Sequence, residues 1–217
     1  MLLIRKKRSA LLVSAMVAAI LPLAAGTAGW AKGKGQDSSE GRAGNWRSGT
    51  QGAPGLEACR KRVAANPQDA DAQNDLGWAL RQNGDLKAAE ETLRLSIKLN
   101  GASPYPHSNL SVVLLDTNRP DEAVREAAHA VSLDDKQPIF HAVLGNALTA
   151  AGDRKKAIEE YRAALKIRPD YENAMYNLGR VLNDDGQSVE AKMTLSQALE
   201  LDPNDERVLK LLDQILQ

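Results

Sequence analysis

Residues 138–171 read PIFHAVLGNALTAAGDRKKAIEEYRAALKIRPDY. Leu144 in this stretch belongs to a ladder with Leu76, Leu110 and Leu178, each 34 residues from the next. Leu148 keeps the same step with Leu80, Leu114 and Leu182, and Ala157 keeps it with Ala89, Ala123 and Ala191. A fourth ladder joins Leu99, Leu133, Ile167 and Leu201. A period near 34 that never drifts is the mark of stacked helical hairpins, each too small to bury its own apolar face. The expected fold is therefore all-α, a solenoid of four tandem hairpins.

In phase, the copies are residues 70–103, 104–137, 138–171 and 172–205. Each opens on an amphipathic helix whose apolar residues recur at steps of three and four, as in Ala72, Leu76, Ala79 and Leu80. Gly84, Asn118, Gly152 and Gly186 then mark a turn, being residues that tolerate positive φ. A second helix follows, centred on the alanine ladder. Pro67, Pro169 and Pro203 punctuate the ends of second helices, and Pro104 and Pro138 sit where a first helical turn accepts proline. Asp69, Ser103 and Asp205 are the expected N-caps. Residues 56–69 read as a partial leading repeat and residues 206–217 as a capping helix, which a solenoid needs at its ends.

These residues resemble the tetratricopeptide repeat family. Asp75-Leu76-Gly77, Asn109-Leu110-Ser111, Val143-Leu144-Gly145 and Asn177-Leu178-Gly179 are similar to its Leu-Gly signature. The alanine ladder is similar to its central alanine, Tyr161 to the large residue four positions on, and Ser96, Ala130, Ala164 and Ala198 to the small residue after that. The fourth repeat position departs: the family favours Trp there, and this chain has Gln73, His107, His141 and Met175. The resemblance implies a right-handed superhelix whose first helices line a concave groove.

Composition agrees with helices packed through small residues: aromatic content is 4%, with one Phe, Phe140. The formal net charge of zero hides an asymmetry. Arg5, Lys6, Lys7 and Arg8 are the charges before residue 32, and from Leu56 onward 20 basic residues face 26 acidic ones. A mildly acidic body is poorly suited to phosphate backbones, so no nucleic-acid partner is expected. Cys59 is the lone cysteine, which excludes an intramolecular disulfide and any zinc site built on two cysteines.

Residues 1–31 read as a targeting segment: a basic start, an apolar stretch over residues 10–25 broken by Ser14 and Pro22, then small residues. The apolar stretch is shorter than the roughly 20 residues that span a bilayer. Cleavage after Ala28 or Ala31 is expected, which places the repeats in the periplasm or outside the cell. The alternative is a retained inner-membrane anchor, in which case membrane contact runs only through this segment. Residues 32–55 are rich in Gly and Ser and read as a flexible tether, with Trp46 as its one large aromatic.

Carried across from the resemblance, the groove-lining residues are Asn74, Trp78 and Arg81 in the first copy and Tyr105, Asn109 and Val112 in the second. Asn146 follows in the third, and Tyr176, Asn177 and Arg180 in the fourth. Asn both donates and accepts, which suits the backbone of an extended peptide. Trp and Tyr are the anchors that dominate interface energy. The family's asparagine ladder at repeat position six is broken here, reading Asp75, Asn109, Val143, Asn177. The family's Lys and Arg clamp for a terminal carboxylate is absent, since Ile139 and Val143 hold clamp positions. An acidic C-terminal peptide is therefore not the expected ligand.

No GxSxG, P-loop or HExxH motif is present, and no cofactor is expected. His107 and His141 share one repeat position and form the one conceivable metal pair, but the expected reading is packing. The expected function is a non-catalytic protein-interaction scaffold or assembly factor of the bacterial envelope, binding a partner peptide or helix in its groove. Two alternatives stand beside it. One is an enzyme subunit or metal-binding protein using His107 and His141. The other is a homodimer or self-associating structural protein using Leu212, Ile215 and Leu216 of the last helix.

Overall fold

The computed structural model describes residues 55–216, and these form ten α-helices with no strand among them. The targeting segment, the tether with Trp46 and the cleavage sites lie outside the described residues. A leading helix α1 (Leu56–Ala65) precedes four hairpins. These are α2 (Ala70–Gln82) with α3 (Leu86–Leu99), α4 (Pro104–Asp116) with α5 (Pro120–Leu133), α6 (Pro138–Ala150) with α7 (Arg154–Ile167), and α8 (Glu172–Asp184) with α9 (Ser188–Leu201). Helix α10 (Glu206–Leu216) closes the array. No helix among the described residues is long and apolar enough to cross a membrane.

Each first helix stops in the same way. Gly84, Gly152 and Gly186 take φ of 86°, 84° and 81°, and Asn118 takes 58°. That left-handed residue lets the next amide reach back to the leucine ladder: Asp85 N to Leu80 O at 3.0 Å, Arg119 N to Leu114 O at 2.9 Å, Asp153 N to Leu148 O at 2.9 Å and Gln187 N to Leu182 O at 2.8 Å. This is the six-residue helix-ending motif that satisfies orphan carbonyls. Several helix starts are capped by carboxylates: Asp69 accepts from Ala72 N at 3.0 Å and Asp205 from Arg207 N at 2.9 Å. Ser103, expected to cap α4, makes no capping bond. A cap bonds the second or third amide of the helix, and the third residue here is Pro106, which has no N–H.

Packing follows from very small residues where helices cross. Ala89, Ala123, Ala157 and Ala191 have no exposed surface. Inside three hairpins a glycine lies under a large side chain. A β-carbon on Gly77 would stand 2.6 Å from Leu93, one on Gly145 2.7 Å from Tyr161, and one on Gly179 2.5 Å from Leu195. The main core runs from Trp78 through Leu110, Val113, Leu144 and Tyr161 to Leu182. A second cluster of Met175, Leu195, Leu199, Val208 and Leu212 seals the C-terminal end. Each buried Leu contributes about 1.5–3 kcal/mol.

Successive first helices touch one another, α2 on α4, α4 on α6, α6 on α8 and α8 on α10, while second helices meet chiefly their own and the following first helix. The layer whose members come closest is the inside of a curve. The first helices therefore form the concave side, and α10 extends that layer by one member.

Candidate functional site

The concave layer divides into three zones. In the first, Asn74 on α2 and Asn109 on α4 are buried, at 4% and 3% exposure. Their side chains are bonded to each other, Asn109 Nδ2 donating to Asn74 Oδ1 at 2.8 Å. Trp78 is covered by Arg81, whose guanidinium carbon lies 4.8 Å from the indole centroid. The Arg81 Nε then donates to Asp116 on α4 at 2.6 Å. Much of this zone is committed to tying α2 to α4.

The middle zone is apolar. Val112 and Val143 are buried at 3% and 1% exposure. Tyr105 is half-buried and meets Phe140 edge to face, with ring centroids 5.4 Å apart. Asn146 at the far edge accepts two bonds on one oxygen, from Tyr161 Oη at 2.7 Å and from Asn177 Nδ2 at 3.1 Å. Burial, the largest cause, pushes the Tyr161 phenol up to about 12. The hydroxyl therefore stays a donor, and the asparagine amide is held with its N–H groups away from it.

The third zone is open. Tyr176, Arg180, Asn183 and Asp184 of α8 face Glu206, Arg207, Lys210, Leu211 and Gln214 of α10 across a cleft of about 560 Å³. Arg207 is fixed by a two-point pair with Asp205, at 2.7 and 3.2 Å, and by Asn173 Oδ1 at 3.2 Å. Its guanidinium lies 5.1 Å from the Tyr176 ring centroid. Asp205 is correspondingly held below the usual carboxylate range, chiefly by that Arg207 hydrogen bond. Residue by residue, the structure brings Tyr176, Asn177 and Arg180 to one end of the layer, and Asn74, Trp78, Arg81 and Asn109 to the other.

The α10 half of this cleft is not expected from the sequence, where residues 206–217 read only as a cap. A signal is nonetheless there. Counted from Glu206 in the same phase, Arg207, Lys210, Leu211 and Gln214 hold repeat positions two, five, six and nine, which are groove positions in every other copy.

The histidines sit elsewhere. His107 Nδ1 lies 2.7 Å from Glu126 Oε2 on α5, and His141 Nδ1 lies 2.7 Å from Glu160 Oε2 on α7. Each therefore ties a first helix to its own second helix. The ring beside His107 is His129, 4.3 Å away between centroids, and not His141. His141 Nε2 also faces the Asp135 carbonyl at 3.0 Å, as Gln73 Nε2 faces the Pro67 carbonyl at 2.9 Å at the same repeat position. The Glu160 hydrogen bond, the largest cause, raises the pKa of His141 above its ordinary value. No group of three or more His, Cys, Asp or Glu among the described residues is arranged to hold a metal ion.

The three residues of the last helix expected to form a dimer contact divide by burial. Leu212 is 4% exposed and belongs to the core, and Ile215 is half-buried against the same cluster. Leu209 and Leu216 are the outward residues, at 37% and 48%.

Comparison with known proteins adds three findings. Family models described as tetratricopeptide repeat match residues 55–105, 108–172 and 148–215. Among curated proteins, the chain is 29% identical over 159 residues to the human protein O-mannosyl-transferase TMTC1, covering 71% of this chain and 18% of that protein. It is 31% identical over 88 residues to small glutamine-rich tetratricopeptide repeat-containing protein 2 of Mycosarcoma maydis, covering 41% of this chain and 25% of that protein. The chain thus spans a quarter or less of these two relatives. Among solved structures it superposes on TTC0263, a thermophilic tetratricopeptide protein of Thermus thermophilus, with a TM-score of 0.66 at 20% identity, covering 74% of this chain and 88% of that one. It also superposes on YrrB, described as having an unusual peptide-binding site, with a TM-score of 0.60 at 19% identity, covering 71% and 80%. Likeness at this identity speaks for the fold alone.

Proposed function

The chain belongs to the tetratricopeptide repeat family, and on that premise we propose that it is a non-catalytic scaffold or assembly factor of the bacterial envelope. It holds a segment of a partner protein against its concave layer of first helices. The observation that carries this reading is the open zone between α8 and α10, where Tyr176, Arg180, Lys210 and Leu211 line one cleft. An amphipathic aromatic, exposed cations and an apolar side chain in one concavity are the ingredients of protein recognition. Family members are in general scaffolds rather than catalysts. Placement outside the cytoplasm rests on the basic and apolar residues 1–31.

Photo-crosslinking from single positions tests the groove reading. A crosslinker at Tyr105 or Tyr176 on the concave side should capture a discrete partner, and one at Glu159 on the exposed face of α7 should not. Capture from Glu159 alone would place binding on the other side and overturn the proposal. N-terminal sequencing of the mature protein tests the compartment: a start at Gly29 or Lys32 supports export with cleavage, and an intact Met1 in a cytosolic fraction removes it.

A second reading, self-association through α10, is favoured by the exposure of Leu209 and Leu216. Light scattering of the Leu216→Glu variant tests it, with an unchanged mass counting against that contact.

A further inference from the structure

The concave layer spends its charges unevenly along its length. Its first members carry Asp71, Asp75, Arg81 and Asp116, with Arg62 of α1 bonded to Asp75. Beyond Asp116 at the end of α4, the middle members carry no charge at groove positions: Tyr105, Ser108, Asn109 and Val112, then Ile139, Ala142, Val143 and Asn146. The last members carry Arg180, Arg207 and Lys210 against Asp184, Asp205 and Glu206, with Arg207 taken up by Asp205.

Position nine of the repeat sharpens the contrast. Trp78 is covered by Arg81, Val112 is buried and Asn146 is bonded to Tyr161 and Asn177. Arg180, the fourth, is exposed and makes no hydrogen bond or ion pair among the described residues. Lys210 has only a long contact of 3.8 Å with Glu206, both side chains more than three-quarters exposed. The Tyr176 ring, braced by Arg207, lines the same cleft as these two cations. Its hydroxyl makes no hydrogen bond among the described residues. An unspent guanidinium, a loosely held ammonium and a phenol O–H in one cleft form a donor set for a carboxylate. Asp184 and Glu206 line the same cleft. They disfavour a polyanion and favour a segment that brings one or two acidic groups behind an otherwise neutral stretch.

We propose that the bound segment is a protein strand or helix with an apolar body and an acidic end, seated so that its acidic group lies between Arg180 and Lys210 beside Tyr176. The apolar body then runs over Tyr105 and Ile139, the half-buried apolar side chains of the middle zone. Direction follows from where the cations are spent: at the other end Arg81 is bonded to Asp116 and Arg62 to Asp75, so a reversed segment would meet no unbonded cation at a groove position there. This deepens the groove reading and rests on it. It uses α10, so it differs from a terminal-carboxylate clamp in the earlier copies, whose residues are missing here.

The test uses the full chain and rhodamine-labelled, C-terminally amidated Ala/Leu peptides that end in glutamates, glutamines or lysines, read by fluorescence anisotropy. The glutamate peptide should bind tightest, weaken with added salt, and lose about tenfold in affinity to the double variant Arg180→Glu, Lys210→Glu. Both positions are exposed, so the variant should keep the wild-type circular dichroism spectrum. Equal binding of the three peptides, binding unchanged by the double variant, or no binding of any peptide overturns the proposal. Concave crosslinks from Tyr105 that survive the double variant would leave the groove reading standing and remove only the acidic end. Loss of all concave crosslinks in the wild type would remove the groove itself.

Discussion

Tyr161 on α7 lies against the bare Cα of Gly145 on α6, so close that a β-carbon built there would stand 2.7 Å from the ring. Gly77 with Leu93 and Gly179 with Leu195 repeat the arrangement. The second hairpin inverts it. Ser111 stands at the glycine register and Ala127 at the bulky register, and both are fully buried. Bulk shifts toward the first helix there, and the Ser111–Ala127 pair is smaller than either the Gly–Leu or the Gly–Tyr pairs.

This pairing predicts which substitutions the hairpins tolerate. Gly145→Ala should destabilise by about 1–3 kcal/mol, because the tyrosine ring has no room to retreat. Ala127→Leu should cost a similar amount against Ser111. The double variant Ser111→Gly, Ala127→Leu should recover most of that loss by copying the first and fourth hairpins. Urea unfolding followed by circular dichroism measures all three. A double variant no better than Ala127→Leu alone would show that bulk at these two registers is not exchanged.

His141 gives the protein a pH-dependent tie. Both ring nitrogens face acceptors, Glu160 Oε2 at 2.7 Å and the Asp135 carbonyl at 3.0 Å. Only the doubly protonated ring donates to both. Its folded pKa is raised, chiefly by the Glu160 hydrogen bond. The stabilisation is then fully present below the ordinary value of about 6.5 and is lost as pH rises through the folded value. Unfolding free energy measured across that window should fall with rising pH in the wild type and fall less in His141→Gln. Identical slopes in the two proteins would refute the tie.

Much of this architecture is readable in the sequence because each hairpin is built from its own neighbours. The alanine ladder and the ladder of Leu80, Leu114, Leu148 and Leu182 carry phase, turn and core together. Phase does not determine burial everywhere. Leu133, Ile167 and Leu201 keep the same step yet are 37%, 40% and 45% exposed, because they sit at the last turns of second helices. The groove is less legible. Position numbers put Asn74 and Asn109 on the concave layer, but whether two amides face a ligand or each other depends on the sideways distance between helices. A one-dimensional repeat does not encode that distance.

The Asn74–Asn109 bond should couple energetically. Removing one amide leaves the other buried without its partner, at a cost of about 1–3 kcal/mol. Asn74→Ala and Asn109→Ala together should therefore cost clearly less than the sum of the single changes. Additive losses in a double-mutant cycle, read from urea midpoints, would show that the 2.8 Å contact contributes little.

The last helix separates two leucines that look alike in the sequence. Leu212 is 4% exposed and packs with Val208, Leu195 and Met175, while Leu216, one turn on, is 48% exposed. Leu212→Ala removes buried methyls and opens a cavity at the open end of the stack, with an expected loss of about 2–5 kcal/mol. Leu216→Ala should stay within about 0.5 kcal/mol of the wild type, as exposed positions do. The consequence reaches the cleft, because Arg207, Lys210 and Leu211 are held in place by the same helix. Leu212→Ala should weaken any ligand of the α8–α10 cleft by fraying α10, and Leu216→Ala should leave that ligand bound as in the wild type. Hydrogen exchange over residues 206–216 measures the fraying directly. Equal protection in the two variants would mean that α10 is not anchored through Leu212.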